Sequence, residues 1–98
     1  MVRRLVRLSR ELPVQAVPLS QIAELDSVHW YGHGSVKPTV RSIIEHCQLM
    51  LAADLAYPII LDSAGRVMDG MHRVSKALMQ GATQITAVQF ERDPAPDY

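Results

Sequence analysis

The stretch PIILDSAGRVMDGMHRVSKALMQG, residues 58–81, contains the local signals that decide the fold. Its first half predicts a hairpin, because the apolar strand 57–61 leads into segment 62–65, with Asp first and Gly last as in a tight turn. Residues 66–69 are expected to return antiparallel to that strand. Gly70 then ends the hairpin, and the following residues have helical spacing.

The second half of this stretch predicts a helix over residues 71–80. Val74, Ala77 and Leu78 recur on one side of it and are expected to face inward. Gly81 stands where a left-handed residue ends many helices, because glycine adopts that conformation without a steric cost. Strand, turn, strand and helix therefore follow one another directly.

The residues on either side of this unit predict the remaining elements. Residues 13–18 indicate a short strand, followed by a turn of helix capped by Ser20, and a long loop is expected over residues 24–38. Residues 85–90 alternate between apolar and polar types, as half-buried strands do. The pattern predicts one sheet flanked by helices.

A central helix is predicted to begin after Thr39, a good N-cap residue, and to end between Ala53 and Leu55. Its apolar residues recur at helical spacing and define one stripe. They are Val40, Ile43, Ile44, Cys47, Met50 and Leu51. We expect Cys47 to be a buried small side chain on this stripe rather than a reactive thiol.

Composition limits the class of protein. The 98 residues are 48% hydrophobic, which suits a single compact domain. Cys47 is the one cysteine, which excludes an internal disulfide and a cysteine-based zinc site. Arginines interrupt any signal-peptide core near the N-terminus, and the mostly apolar stretch 49–61 is too short to span a membrane. A cytoplasmic location is expected.

The formal net charge of zero conceals an asymmetry. Residues 1–10 carry four arginines and no acid, whereas the other residues carry six basic and ten acidic side chains. We therefore divide the chain into a basic arm (1–12), a domain (13–91) and an acidic, proline-containing tail (92–98). The arm is either a frayed terminus with helical character or a weak DNA contact.

The chemically informative motif is Asp69-Gly70-Met71-His72-Arg73, at the predicted strand-to-helix junction. A helix start exposes unpaired N–H groups and the positive end of the helix dipole. His72 and Arg73 add donors there, although cations at this end oppose the dipole. The arrangement indicates an anion site. The alternative is that Arg73 pairs with Asp69 and His72 only caps the helix.

The order of elements and the GxHR motif resemble the ParB/sulfiredoxin superfamily. The resemblance extends over roughly residues 14–91. It runs from VPLSQI (17–22) through the central helix and PIIL (58–61), with Ala77 beneath the motif, and continues through Gly81 to the strand 85–90. It implies a single small α/β (α+β) domain with a mixed sheet and flanking helices.

Branches of the superfamily imply different functions. Sulfiredoxins have a catalytic cysteine where this chain has Met71, so their reductase activity is excluded. ParB proteins use the corresponding box to bind CTP and also bind centromere DNA, but their second nucleotide motif and helix-turn-helix lie beyond residue 98. Free serine kinases have a similar Asp-Gly-His-His-Arg motif, and the resemblance places Glu24 or Asp26 in the region of their activating carboxylate.

These considerations give one set of candidate site residues. The candidates for holding phosphate or nucleotide are Gly70, Met71, His72, Arg73 and Lys76, although Lys76 could equally lie on a solvated helix face. Asp69 and His72 are the candidate catalytic groups. Trp30 and His33 are candidates for a lid over the site, with Trp30 in the core as the alternative.

A metal site within the protein itself is not expected. Asp26, His29 and His33 carry suitable ligands, but Gly32 and Gly34 argue against the helix that would bring the two histidines together.

The leading hypothesis is a domain that binds a nucleotide or another phosphorylated small molecule, with Mg²⁺ as the accompanying ion. Were it an enzyme, nucleotide hydrolysis or kinase-like phosphoryl transfer would be its chemistry. The alternative is a non-catalytic regulatory or protein-interaction module, with DNA association through the arm as a weaker option. A short chain also gains burial by forming a homodimer. No membrane partner is expected.

Overall fold

A computed structural model of the chain describes residues 2–31 and 37–94. These residues form helices, strands and two short 3₁₀ turns. In chain order they are α1 (Val2–Ser9), β1 (Gln15–Pro18), the turns Leu19–Gln21 and Ala23–Asp26, α2 (Val40–Ala52), β2 (Ile59–Leu61), β3 (Val67–Asp69), α3 (Met71–Met79) and β4 (Gln84–Gln89). No helix among the described residues combines the length and apolar character needed to cross a membrane.

The strands form one mixed sheet in the order β1-β4-β2-β3. β4 pairs antiparallel with β1 and parallel with β2, while β2 and β3 form the antiparallel hairpin. The parallel pair follows from α3, which connects β3 to β4 and returns the chain to the sheet in the direction of β2. The predicted α/β (α+β) class with flanking helices is therefore confirmed.

The hairpin turn forms as its residue types predict. The Asp62 carboxylate accepts hydrogen bonds from the N–H groups of Ala64 (2.9 Å) and Arg66 (2.8 Å). The N–H of Gly65 donates to the Asp62 carbonyl at 3.0 Å, and Gly65 has a φ of 84°, which favours glycine.

In the proposed tail, Asp93 accepts a hydrogen bond from the N–H of Ser63 (2.7 Å), whereas residues 95–98 lie outside the described part.

α3 covers one face of the sheet. Val74 and Ala77 are fully buried against it, as the helical spacing predicts, and Gly81 follows the helix with a φ of 79°. The prediction for Leu78 was wrong, because this side chain is 52% exposed. In the last turn of α3 the neighbouring Ala77 makes the contact with the core, and Leu78 remains outside it.

The first 3₁₀ turn starts two residues earlier than predicted. Pro18, not Ser20, occupies its N-cap position, and no side-chain hydrogen bond caps it. Leu19 is 4% exposed and anchors the turn in the core, whereas Ser20 is exposed. Burial of the apolar residue therefore sets the start of the turn.

α2 forms where predicted, but its apolar stripe is not buried. The Thr39 hydroxyl accepts a hydrogen bond from the N–H of Ser42 at 3.1 Å, which confirms the N-cap. No residue of α2 is buried, however, and Cys47 is exposed, so the expectation of a buried cysteine was wrong. α3 already covers the sheet, and α2 lies beside α3 instead.

The opposite face of the sheet carries a smaller cluster. Ile60, Val88 and Phe90 are buried there, and Leu12 packs against them. α1 contacts β2, and Ser9 at its end is buried. The basic N-terminal segment therefore lies against the domain as a helix.

The junction between β3 and α3 depends on the backbone conformation and close packing of Gly70. Its φ is 108°, and a Cβ added there would lie 2.7 Å from the Ile59 side chain. Gly70→Ala therefore combines a left-handed conformation with overpacking, and should lower the free energy of unfolding by about 3 kcal/mol. Gly81→Ala meets no atom within 4 Å and should cost only about 1 kcal/mol.

Urea unfolding of the two variants measures this difference. Equal losses of stability would show that close packing at Gly70 is not a constraint on the junction.

Candidate functional site

A cavity of about 730 Å³ lies on the sheet face opposite α3. Its floor contains the buried side chains of Ile60 and Val88, and α1 and the end of α2 form its walls. Four of the five residues of the DGMHR motif line it, namely Asp69, Gly70, His72 and Arg73. The volume falls in the range typical of small-molecule sites.

The first backbone N–H groups of α3, beside this cavity, have no hydrogen-bond acceptor within residues 2–31 and 37–94. Gly70 is the N-cap residue and has no side chain with which to cap the helix. The first helical hydrogen bond is donated by Val74 to the Gly70 carbonyl (3.0 Å). The N–H groups of Met71, His72 and Arg73 precede that bond, and the helix itself supplies no acceptor for them. The junction is thus suited to an anion.

The Arg73 side chain holds together the residues on either side of the junction between β3 and α3. Its guanidinium donates to the carbonyls of Tyr57 (2.9 Å) and Pro58 (2.7 Å), just before β2. It also forms an ion pair of 2.9 Å with Asp69 at the end of β3. The pairing of Arg73 with Asp69 is therefore observed, whereas His72 bonds to His46 and does not cap the helix. These bonds use three of the five guanidinium N–H groups and leave two for a ligand.

Two other candidates from the sequence have different surroundings. The Met71 side chain is buried in the main core, so only its backbone N–H can meet a ligand. The Lys76 ammonium donates to the carbonyls of Leu51 (3.1 Å) and Ala53 (2.7 Å). Lys76 therefore pairs with carbonyl groups at the end of α2 that have no donor within the helix, and it is not simply solvated.

Trp30 stacks on His72 near the start of α3 and is not among the described residues that line the cavity. Its ring lies 4.2 Å from that of His46 and 4.9 Å from that of His72, nearly parallel to both. His46 Nδ1 and His72 Nε2 are 2.9 Å apart and share a hydrogen bond. Trp30 therefore both packs against the core and contacts a motif residue. His33, its proposed companion, lies outside the described residues.

His46 was missed by the sequence analysis. Its position on α2 gives no local signal, and only the packing of α2 beside α3 brings it to His72. Burial lowers the pKa of His72 below the ordinary 6.5, and the charges of His46 and His29 lower it further. The lowered pKa favours the neutral form of His72, in which the ring nitrogens donate or accept without a charge.

The acidic candidates from the kinase resemblance are separate from the cavity lining. A Glu24 carboxylate oxygen accepts a 2.6 Å hydrogen bond from the N–H of Val67, which supports β3. Asp26 is exposed. The described carboxylates that do line the cavity are Asp54 and Asp69.

No cluster of three or more potential metal ligands occurs within residues 2–31 and 37–94. Mg²⁺ bound with a nucleotide needs only one or two protein carboxylates, because phosphate oxygens and water complete its coordination. Asp54 and Asp69 are carboxylates at the cavity, but Asp69 is already paired with Arg73.

Comparisons with known proteins give no family: no protein-family model, curated protein or solved structure matches this chain. The cavity and its chemistry are therefore the basis for inferring a function.

The anchoring role of Arg73 predicts a loss of stability on substitution. Arg73→Ala leaves the Tyr57 and Pro58 carbonyls and the half-buried Asp69 without their donor, and should lower the free energy of unfolding by about 2–3 kcal/mol. Arg66→Ala, at an exposed position, is the matched control and should change it by less than about 0.5 kcal/mol. Similar losses in both variants would contradict the anchoring role.

The lowered pKa of His72 predicts a pH dependence of stability. In acid the unfolded chain binds a proton at His72 that the folded chain excludes, so the free energy of unfolding falls as the pH drops through 6.5. His72→Gln should weaken this dependence in urea titrations between about pH 8 and about pH 5. His29→Gln should retain most of it, because burial is the largest cause. An unchanged dependence in His72→Gln would refute the assignment.

Proposed function

We propose that this chain is a binding domain for a nucleotide or another phosphorylated small molecule, held in the cavity at the start of α3. The observation that carries the proposal is the uncapped start of α3, which opens into that cavity. The resemblance to ParB domains, which bind CTP through the corresponding box, supports the same ligand class.

The polar end of the cavity suits a phosphate group. The N–H groups at the start of α3 and the two remaining N–H groups of Arg73 provide donors. Arg10 also lines the cavity and is not neutralised by a salt bridge within the described residues, unlike Arg73. Asp54 and Asp69 repel a bare phosphate but attract Mg²⁺, so we expect the Mg²⁺ complex to bind in preference to the free anion.

The rest of the cavity suits the body of such a ligand. Val6 and Leu49 form apolar walls above Ile60 and Val88. Cavities with mostly apolar walls and a few polar groups at one end bind small molecules in an oriented way. A nucleoside or another largely apolar group would lie along these walls, with its phosphate at Gly70.

Binding without turnover is the form of this proposal that the geometry favours. Asp69 is paired with Arg73, and His72 shares its Nε2 with His46. Nucleotide hydrolysis or phosphoryl transfer through Asp69 and His72 would require one of these contacts to be exchanged for a contact with the ligand. A cytoplasmic location, where nucleotides are available, would accord with this function.

Thermal denaturation with ATP, CTP, GTP or ADP and Mg²⁺ tests the proposal. One nucleotide present at a hundred times its Kd should stabilise the chain by about 2.7 kcal/mol, which raises Tm by several degrees. Leu49→Trp should abolish the shift by filling the cavity, because Leu49 lines it and is half exposed. Leu78→Trp, equally exposed on α3, is the matched control and should retain it.

A matched pair of arginine variants tests whether positive charge at the cavity is needed for nucleotide binding. Arg10→Ala should weaken nucleotide binding by roughly tenfold, whereas Arg7→Ala, exposed and not lining the cavity, should leave it unchanged. The absence of a shift with every nucleotide, or an equal shift in Leu49→Trp, would contradict the proposal. Phosphate release by the wild type, measured in parallel, distinguishes an enzyme from a binding domain.

A further inference from the structure

The outer face of α2 is apolar and exposed. Val40, Ile44 and Leu51 are 75%, 51% and 65% exposed, and Cys47 is exposed between the last two. These four residues are separated by four, three and four positions, the spacing with which one helix presents a seam to another. We call them the α2 seam.

The contacts of the opposite face fix the orientation of α2. The hydroxyl of Ser42 is 3.2 Å from that of Tyr31, and His46 bonds to His72. Leu49, one turn further along, lines the cavity. Residues 42, 46 and 49 lie about 180° around the helix from the α2 seam, given 100° per residue. The α2 seam therefore points away from the rest of the domain.

We propose that the α2 seam packs antiparallel against the α2 seam of a second copy of this chain, across a two-fold axis between Ile44 and Cys47. The reason is self-complementarity, which an isologous interface requires. Antiparallel pairing places Val40 opposite Leu51 of the second copy, and Ile44 opposite Cys47. Each layer then combines a larger and a smaller side chain, whereas parallel pairing would stack Cys47 on Cys47 and leave that layer underfilled.

The flanking residues are compatible with the same pairing. Ile43, 47% exposed, falls opposite Met50 of the second copy and widens the apolar contact. Arg41 falls opposite Gln48, so no like charges meet. Met79, 61% exposed and three residues after Lys76 on the side of α3 that reaches α2, extends the apolar surface beyond Leu51.

The available area sets the strength of this dimer. A helix of 13 residues is about 20 Å long and about 10 Å wide. That face with its flanks offers less than the roughly 800 Å² per partner of a standard interface. The dimer is therefore expected to be weak and concentration-dependent, with dissociation at low micromolar concentration. It leaves the cavity open, because the cavity lies on the other side of α2, and it does not depend on the proposed ligand.

Sedimentation velocity from low-micromolar to near-millimolar concentration tests the proposal. The wild-type chain should shift from monomer to dimer across this range. Ile44→Asp should weaken the association at least tenfold without loss of helix by circular dichroism, because its side chain is half exposed in the monomer. Val28→Asp, at a 70% exposed position away from α2, should associate as the wild type does. A wild type that stays monomeric, or Ile44→Asp that still dimerises equally, would overturn it.

Oxidative cross-linking tests the antiparallel orientation. In that orientation the Cys47 residues of the two copies are offset along the seam, so the wild type should not form a disulfide dimer efficiently. Ile44→Cys places the new thiol opposite Cys47 of the second copy and should give a covalent dimer on mild oxidation. Efficient cross-linking of the wild type through Cys47, or none in Ile44→Cys, would overturn the antiparallel arrangement.

Discussion

The guanidinium of Arg73 joins three parts of the chain that are separate in sequence. It holds the carbonyls of Tyr57 and Pro58 ahead of β2 and the carboxylate of Asp69 at the end of β3. The hairpin and α3 consequently meet at a fixed angle around Gly70, whose positive φ lets the chain turn there. The unpaired N–H groups at the start of α3 and the cavity beside them depend on that constraint. In the sequence Arg73 resembles a phosphate ligand. In the structure its contacts hold together the site that we propose for phosphate.

Much of the fold was accessible from the sequence, for physical reasons that are local. The Asp62–Gly65 turn, the Thr39 cap and the glycine ends of α3 each depend on residues within a few positions of one another, and each prediction is confirmed. Whether a side chain is buried depends instead on contacts between segments that are distant in the sequence. The periodicity of α2 showed which side of the helix is apolar, but not that the domain would contact the other side. For the same reason Cys47 was expected inside and is exposed.

The candidate site was predictable only in part. The DGMHR motif was found from its position between a strand and a helix, and four of its residues line the cavity. The stacked rings of Trp30, His46 and His72 were not found as a group, because they come from three segments whose approach is set by tertiary packing. Burial lowers the pKa of His72 and so favours its neutral form, which reduces the cost of a basic residue at a helix N-terminus. α2 therefore supports the site with one face and leaves the other face exposed, and we propose that the exposed face associates with a second copy of the chain.

The central claim is that an anionic ligand binds to the free N–H groups at the start of α3. Titration of ¹⁵N-labelled protein with a nucleotide and Mg²⁺, followed by two-dimensional NMR, tests it most directly. The account predicts that the amide resonances of residues 71–73 shift together and saturate with one Kd. Resonances that stay unshifted at millimolar nucleotide, or shifts confined to another surface, would contradict it.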